Sequence, residues 1–218
     1  MINKTFLLAC FSSVCIGTQA QDTTGNAEIR KKAAEWTAGL SLADQTKTAK
    51  VEQAITVHLI AVRDWHNSHP GTMVPSGINP ATGNTFSDLD KEVIMCSGKP
   101  KSVHEDLMNT LKAELTPEQV ETVLDKYTIG KVAFTMNGYE AIVPDLTEKE
   151  RNEILKNLKQ AREQAIDYKN MKEISAIFEI YKTKCEQYLN NNGRSWRQLY
   201  KTYTDKIKAE KAAKQKAG

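Results

Sequence analysis

The sequence predicts an all-α protein, an irregular multi-helix bundle with one long loop. Three segments, 116–119, 147–150 and 195–198, have the pattern of a helix start. In each, a hydroxyl residue is followed three positions later by Glu or Gln, so the two side chains can cap the first turn reciprocally. Apolar residues follow at intervals of three and four without a strict long heptad, which favours a globular bundle over a coiled coil.

Two helices are expected before residue 71. The second begins near Asp44 and is stopped by Pro70 and Gly71. Apolar residues line one face of the first helix at Ile29, Ala33, Trp36 and Leu40, and one face of the second at Val51, Ile55, His58, Val62, Trp65 and His69. Such spacing is typical of helices with one buried side.

Residues 71–101 interrupt this pattern with scattered glycines and prolines and little periodicity. A loop of this length inside a compact domain is usually functional or disordered. It directly follows a polar cluster at the end of the second helix. We therefore expect it to fold over that helix end and to form one wall of any ligand site.

Helical periodicity resumes at Val103 and continues to the C-terminal end. Residues 129–143 fit both an alternating strand and a helix, and the helical neighbours on both sides favour the helix. Residues 201–218 carry six lysines against Asp205 and Glu210. A solvated, fraying helix end is favoured there over a binding site for an acidic partner.

Residues 1–20 have the pattern of a secretory signal. Lys4 supplies the positive start, residues 5–17 form an apolar stretch too short to span a bilayer, and Ala20 allows cleavage before Gln21. The remaining residues, 21–218, are enough for a single helical domain with a real core. We therefore expect export to the periplasm, with the cell surface or the extracellular space as alternatives.

Charge and hydropathy argue against some partners. Residues 1–20 contain one lysine and no acid, so cleavage lowers the formal net charge from +3 to +2. This near-neutral balance argues against nucleic acid as the main partner. After residue 20 the sequence has no apolar run long enough for a transmembrane helix.

Cys96 and Cys185 are the two cysteines outside the export signal. In an oxidising compartment they could form one disulfide that ties the long loop to a late helix. Alternatively both are separate thiols, because Cys185 lies on an apolar stripe and free cysteine packs as a small apolar residue. We favour the disulfide.

The densest polar cluster lies at the end of the second helix. Planar donors and acceptors can bind the hydroxyls of a sugar ring, and an indole can stack on its apolar face. The alternative is a polar helix end with Trp65 in the core. The candidate ligand-binding residues of this cluster are Arg63, Asp64, Trp65, His66, Asn67 and His69.

A second candidate cluster consists of Arg162, Glu163 and Asp167. Two carboxylates near an arginine could do acid–base chemistry if their environments separate their pKa values. The more common meaning of this spacing is a ladder of surface ion pairs along a helix.

The sequence predicts neither a metal site nor a cofactor. His66 and His69 are spaced to share a helix face, and Asp64 or His104 could add a ligand. However, no HExxH pattern or cysteine cluster supports metal binding. No Gly-rich phosphate loop, nucleophile elbow or dinucleotide fingerprint is present.

Three stretches together carry a family resemblance. They are 62–67 (Val-Arg-Asp-Trp-His-Asn), 115–121 (Leu-Thr-Pro-Glu-Gln-Val-Glu) running on to Tyr127 and Thr128, and 146–150 (Leu-Thr-Glu-Lys-Glu) leading to 161–167. Their order resembles a domain-of-unknown-function family of exported Gram-negative bacterial proteins. That family has a provisional sugar-binding label and is encoded beside polysaccharide-degrading enzymes. The likeness covers about residues 30–210.

The resemblance implies a carbohydrate-binding accessory protein of a polysaccharide-utilisation system, with an oligosaccharide or polysaccharide as the partner. A polysaccharide lyase or hydrolase is the first alternative, although a binding protein is favoured over an enzyme. A periplasmic helical chaperone or adaptor is the second alternative. It is suggested by the Leu-Thr-x-x-Gln pattern of residues 115–119, which is also an ordinary helix start.

Overall fold

The computed structural model describes residues 23–80 and 82–217, and within these residues the protein is built from nine α-helices. They are α1 (Thr23–Ala38), α2 (Gln45–Ser68), α3 (Asp88–Ser97), α4 (Lys101–Glu114), α5 (Pro117–Thr128), α6 (Lys131–Ile142), α7 (Glu148–Ala165), α8 (Met171–Asn191) and α9 (Trp196–Ala217). A 3₁₀ turn, Gly71–Met73, follows α2. The described part of the chain contains no strand, so the predicted all-α class is confirmed.

Side-chain caps fix several of the helix starts. The Gln119 N–H donates to the Thr116 hydroxyl at 3.3 Å, and the Thr116 N–H donates to Gln119 Oε1 at 3.0 Å. The same reciprocal pair opens α7, as the sequence predicts. Helix α9 also begins at the predicted position, but there the Trp196 N–H donates to Asn190 Oδ1.

The apolar helix faces form two cores. The first lies among α1, α2, α4 and α5, and the second among α6, α7 and α8. Buried residues include Val51, Ile55, Leu107, Leu111 and Val123 in the first core, and Ile154, Leu158, Phe178 and Leu189 in the second. At the end of α7, Ile166 packs in the first core, whereas Ala165 and Tyr168 pack in the second. The turn after α7 therefore lies where the two cores meet.

Residues 71–101 differ from the expected loop because they contain α3. Ser87 caps this helix: its hydroxyl oxygen accepts the Asp90 N–H at 3.1 Å, and its own N–H donates to Asp90 Oδ2 at 2.8 Å. The segment packs over the end of α2, as expected. Within it, the carbonyl oxygen of Met95 accepts the indole N–H of Trp65 at 3.2 Å.

The favoured disulfide is not present, because Cys96 and Cys185 are both free thiols. Cys96 Sγ lies 3.8 Å from the carbonyl oxygen of Asp167, and Cys185 Sγ lies 4.0 Å from that of Ile154. Eleven residues of α7 separate Ile154 from the helix end, which is about 16 Å at 1.5 Å per residue. Side-chain rotation cannot reduce that distance to an S–S bond of about 2 Å. The structure therefore supports the alternative of two separately packed thiols.

Within the described residues, no helix combines the length and the apolar character needed to cross a membrane. The expected export signal, residues 1–20, lies outside those residues. The signal and its cleavage before Gln21 therefore stay predictions.

Candidate functional site

The turn after α7 holds Asp167 at the junction of the two cores. Asp167 Oδ1 lies 3.0 Å from His58 Nε2 of α2. Asp167 Oδ2 lies 3.2 Å from Lys99 Nζ, just before α4, and 3.2 Å from His104 Nδ1, in the first turn of α4. Three basic side chains from separate parts of the chain thus converge on one carboxylate.

This cluster is largely removed from solvent. The exposed fraction of the side chain is 1% for His58, 4% for Lys99 and 17% for Asp167. Burial alone would raise the pKa of Asp167, but the contacts with His104 and His58 and the charge of Lys99 hold that pKa well below its usual range. The carboxylate is therefore ionised at physiological pH. It compensates the buried ammonium of Lys99, which would otherwise be costly to desolvate.

The two histidines shift in opposite directions around Asp167. Burial lowers the pKa of His58 and outweighs the opposing effect of its hydrogen bond to Asp167. The contact with Asp167 raises the pKa of His104, against the effect of partial burial. His104 is therefore the imidazole able to carry a proton near neutral pH, whereas His58 is a neutral structural group.

His104 lines an open cleft of about 490 Å³, which we call the Asp167 cleft. One side is formed by residues 96–105, and the other by Gln160, Glu163 and Gln164 of α7 and Tyr181 of α8. Its charged lining is balanced between three basic residues, Lys99, Lys101 and His104, and three acids, Glu105, Glu163 and Asp167. Amide and hydroxyl groups supply the other polar atoms.

The geometry of His104 is suited to proton transfer. Its Nδ1 lies 3.2 Å from Asp167 Oδ2 as an ion-pair contact without aligned hydrogen-bond geometry, and its Nε2 lies 3.7 Å from Glu163 Oε1. A carboxylate that fixes one ring nitrogen while the other can meet a substrate is the usual arrangement of an acid–base imidazole. The site can therefore bind polar groups, and it can also give or accept a proton.

The residues predicted at the end of α2 do not form one site. Arg63 forms an ion pair with the neighbouring Asp64 at 2.8 Å on the surface. The side-chain oxygen of Asn67 accepts a hydrogen bond from Lys169 Nζ at 3.3 Å. His66 points inward instead, and its side chain is fully buried. The polar run is thus divided between the surface and the interior.

Trp65 is partly covered by its own neighbours. His69 stacks on the indole with ring centroids 3.8 Å apart and planes 12° apart. The indole N–H is already bonded to Met95, and Gly98 lies against the edge of the ring. The indole is therefore neither open for stacking on a sugar nor fully buried in the core. It is half-buried, and its N–H and one ring face already have partners.

The second predicted cluster is split between two faces of α7. The guanidinium of Arg162 is buried and faces α5, where it pairs with Glu121 at 2.8 Å and with Asp125 at 2.6 Å. Glu163 and Asp167 instead line the Asp167 cleft. Two of the predicted ligand-binding candidates therefore lie together in a cleft, and Arg162 has a structural role.

The sequence does not identify His58 or Lys99 as site residues, and it suggests His104 only as a possible metal ligand. His58 gave a weak signal, because an ionisable residue on an otherwise apolar stripe needs a buried partner. Lys99 gave none, since a lysine between Gly98 and Pro100 is normally expected at the surface. Only the packing of α4 against α2, and the approach of the turn after α7 to both helices, brings these residues together.

A second groove, of about 740 Å³, lies between α6, α8 and α9. Its lining is richer in aromatic residues and includes Trp196 and Tyr203. Phe134 and Tyr200, which also line it, are 78% and 52% exposed. This aromatic groove lacks a cluster of buried ionisable groups, so we treat it as a competing binding surface and not as the candidate site.

Comparisons with known proteins place the chain in a family but do not give it an activity. No curated protein sequence matches it. A family model described as "Protein of unknown function (DUF3826)" matches residues 26–209, which is well over half of the chain and includes the whole Asp167 cleft. The chain therefore belongs to the DUF3826 family of uncharacterised proteins.

Proposed function

We propose that the protein is an exported carbohydrate-binding accessory protein and that the Asp167 cleft binds an uncharged sugar unit. The composition of the cleft lining carries this proposal. Equal numbers of basic and acidic residues surround amide and hydroxyl groups, a mixture that suits a polyol better than a strongly anionic ligand such as a nucleotide. The volume, about 490 Å³, lies in the range of small-ligand sites.

Several cleft groups have hydrogen-bonding capacity left for a ligand. Gln160 and Glu163 are exposed on consecutive turns of α7. The hydroxyl of Tyr181 donates to Gln164 Oε1 at 3.1 Å, which leaves the amide N–H₂ of Gln164 as a donor. Lys99 Nζ uses one of its three hydrogens toward Asp167. The resemblance to a family with a provisional sugar-binding label supports the same function.

Isothermal titration calorimetry against a panel of plant-wall oligosaccharides tests this proposal. Gln160→Ala and Glu163→Gln each remove hydrogen-bonding capacity or charge from the cleft, so each should weaken binding about 3- to 10-fold. Tyr200→Ala in the aromatic groove is the matched control and should leave the affinity unchanged. Absence of binding by the folded protein across the panel, or loss of binding in the Tyr200 variant alone, would contradict the proposal.

The His104–Asp167 pair favours a second candidate, acid–base cleavage of the bound glycan. In a lyase or a hydrolase, His104 would exchange a proton with the substrate while Asp167 holds the ring. Release of reducing ends or of an unsaturated sugar, measured with wild-type protein and with His104→Gln, tests this function. Binding without turnover would leave the accessory role, whereas turnover lost in the His104 variant would establish an enzyme.

A further inference from the structure

A second group of ionisable side chains lies on the opposite side of the Asp167 turn from the cleft. His66 at the end of α2, Glu92 of α3 and Glu173 in the first turn of α8 each offer a ligand atom, and these atoms lie within 4.8 Å of one another. His66 Nδ1 is 3.7 Å from Glu92 Oε2 and 4.0 Å from Glu173 Oε2. The His66 side chain is completely buried.

The tautomer of His66 follows from its other nitrogen. His66 Nε2 lies 3.0 Å from the carbonyl oxygen of Asp167, which can only accept a hydrogen bond. In a neutral imidazole, Nε2 must therefore carry the hydrogen, and Nδ1 presents a lone pair. That buried Nδ1 has no hydrogen-bond partner among the described residues, and it faces the two carboxylates. Three electron-rich atoms that converge in this way are stabilised by a positive charge, which either a proton on Nδ1 or a bound cation can supply.

Neighbouring groups hold both carboxylates in place. The Gly71 N–H donates to Glu92 Oε1 at 3.1 Å, which leaves Oε2 turned toward His66. A Cβ at residue 71 would lie 2.8 Å from that Oε1, so glycine is what allows this approach. The Lys169 N–H donates to Glu173 Oε2 at 3.3 Å. The cluster is therefore prearranged and does not consist of freely rotating surface acids.

We propose that His66 Nδ1, Glu92 Oε2 and Glu173 Oε2 bind one divalent transition-metal ion, with water in the remaining positions. One imidazole and two carboxylates suit Zn²⁺, Mn²⁺ or Fe²⁺, whereas Ca²⁺ and Mg²⁺ prefer oxygen ligands alone. Metal–ligand distances of about 2.0–2.2 Å place tetrahedral ligand atoms about 3.4 Å apart. The His66–Glu92 and His66–Glu173 separations, 3.7 and 4.0 Å, would shorten by about 0.3 and 0.6 Å to reach that value, and the separation between the two carboxylate oxygens, at most 4.8 Å, by at most about 1.4 Å.

A backbone carbonyl that receives the N–H of the second ring nitrogen is the usual outer-shell support for a histidine ligand. Here the Asp167 carbonyl has that role, and it fixes Nδ1 as the coordinating atom. The ion would join the end of α2 to α3 and to the start of α8. It would therefore anchor the 71–101 segment on the bundle, a task for which the sequence suggested a disulfide. This proposal is independent of carbohydrate binding.

Titration of EDTA-treated protein with ZnCl₂, MnCl₂ and CoCl₂ tests the site. Wild-type protein should bind one equivalent of Zn²⁺ or Co²⁺ and should melt several degrees higher with it, because a ligand that binds only the folded state stabilises that state. The Co²⁺ complex should show visible ligand-field bands without a near-ultraviolet thiolate band.

Glu92→Gln is the decisive variant. Its amide can keep the acceptor for Gly71 N–H and can donate to His66 Nδ1, so the fold is retained while an anionic ligand is lost. We expect at least a tenfold loss of Zn²⁺ affinity and a smaller thermal shift than that of wild-type protein at the same Zn²⁺ concentration. Glu163→Gln, a carboxylate change in the Asp167 cleft, is the matched control and should bind as wild type does. Failure of folded wild-type protein to bind any of the three ions would overturn the site. So would equal binding by the Glu92 variant, or a thiolate band that points to Cys96.

Discussion

His104 and Asp167 form a largely buried ion pair, with 3.2 Å between Nδ1 and Oδ2, in which the histidine is the more exposed partner. The side chain of His104 is 25% exposed, and that of Asp167 is 17% exposed. Because this contact raises the pKa of His104, His104 should keep its proton to a higher pH than an ordinary histidine does.

NMR titration of the histidine ring protons tests this relationship. We expect His104 to titrate above its usual pKa of about 6.5 and His58 to titrate below it. Asp167→Asn should lower the pKa of His104, because the variant removes the largest stabilising contact of the imidazolium. Glu163→Gln should lower it less. Unchanged titration of His104 in the Asp167 variant would show that the pair does not form in solution.

Asp167→Asn should also destabilise the fold. It leaves the buried ammonium of Lys99 without its counter-charge, a change that costs about 3–5 kcal/mol when one partner of a buried pair is removed. Chemical denaturation measures this loss. In a double-mutant cycle, Lys99→Met combined with Asp167→Asn should cost less than the sum of the single changes. Additive costs would mean that the two residues do not interact.

A second charged cluster should contribute to the loss of stability at low pH. Arg194 donates through Nε to Glu150 Oε1 at 2.9 Å and through Nη2 to Glu150 Oε2 at 2.8 Å, and it also pairs with Asp145. The hydrogen bond from Arg194 lowers the pKa of Glu150 from 4.5 to about 2. A carboxyl group whose pKa is lower in the folded than in the unfolded state stabilises the fold at pH values above its unfolded-state pKa. This contribution is lost as the pH falls through the folded-state pKa.

Denaturation curves between pH 5 and pH 2 should therefore show a fall in stability that Glu150→Gln reduces. The shift corresponds to up to about 3 kcal/mol, since one pKa unit is about 1.4 kcal/mol. Glutamine can still complete the capping box with Thr147, so the variant isolates the charge. Glu148→Gln, an exposed residue in the same first turn, is the matched control and should keep the wild-type pH profile. An unaltered profile for Glu150→Gln would contradict the expected linkage.

The two thiols should make the protein insensitive to reductant. Burial raises the pKa of Cys185 to about 12 and also raises that of Cys96, so little thiolate forms in the folded state. Melting temperatures with and without dithiothreitol should agree. Ellman's reagent should react slowly with the native protein and quickly in denaturant. A cross-linked peptide containing both cysteines in a non-reducing digest would contradict this.

The end of α5 offers a stabilising substitution. Ile129 is 72% exposed and adopts φ of 53°, a left-handed conformation that is costly for a β-branched residue. Ile129→Gly should relieve that strain and raise the free energy of unfolding by about 1 kcal/mol, because an exposed side chain contributes little packing. Ile180→Gly, inside α8 at a residue that is 40% exposed, is the contrasting control and should destabilise the protein. A loss of stability in the Ile129 variant would show that glycine's greater chain entropy dominates.

Local chemistry explains which features were predictable from sequence. Thr116 and Thr147 start helices as predicted because each cap involves residues only three positions apart. A wider form of that rule, which also accepts Asp three positions after the hydroxyl residue, would have located α3 from Ser87 and Asp90. The cap at Asn190 was not predictable, because it depends on how the chain turns after α8.

The candidate site was harder to predict because its contacts are not local. Glu163 and Asp167 were identified from their spacing, but nothing in that spacing separates them from Arg162, which turns toward α5. Their partners His58 and Lys99 are far away in the chain and meet them only after the helices pack. Sequence periodicity gives the face of a helix, but it does not identify the helix that covers that face.

Asp167 contributes to two neighbourhoods through different atoms of a single residue. Its carbonyl oxygen accepts a hydrogen bond from His66 Nε2, and its carboxylate forms an ion pair with His104. A small rotation of this backbone would therefore displace both contacts together, so the cleft cannot be reshaped independently of the way α3 is anchored. In a laboratory selection for altered ligand preference, some adaptive substitutions should then arise on α3, remote from the bound molecule. The residues whose substitution can change ligand binding therefore extend beyond those that line the cleft.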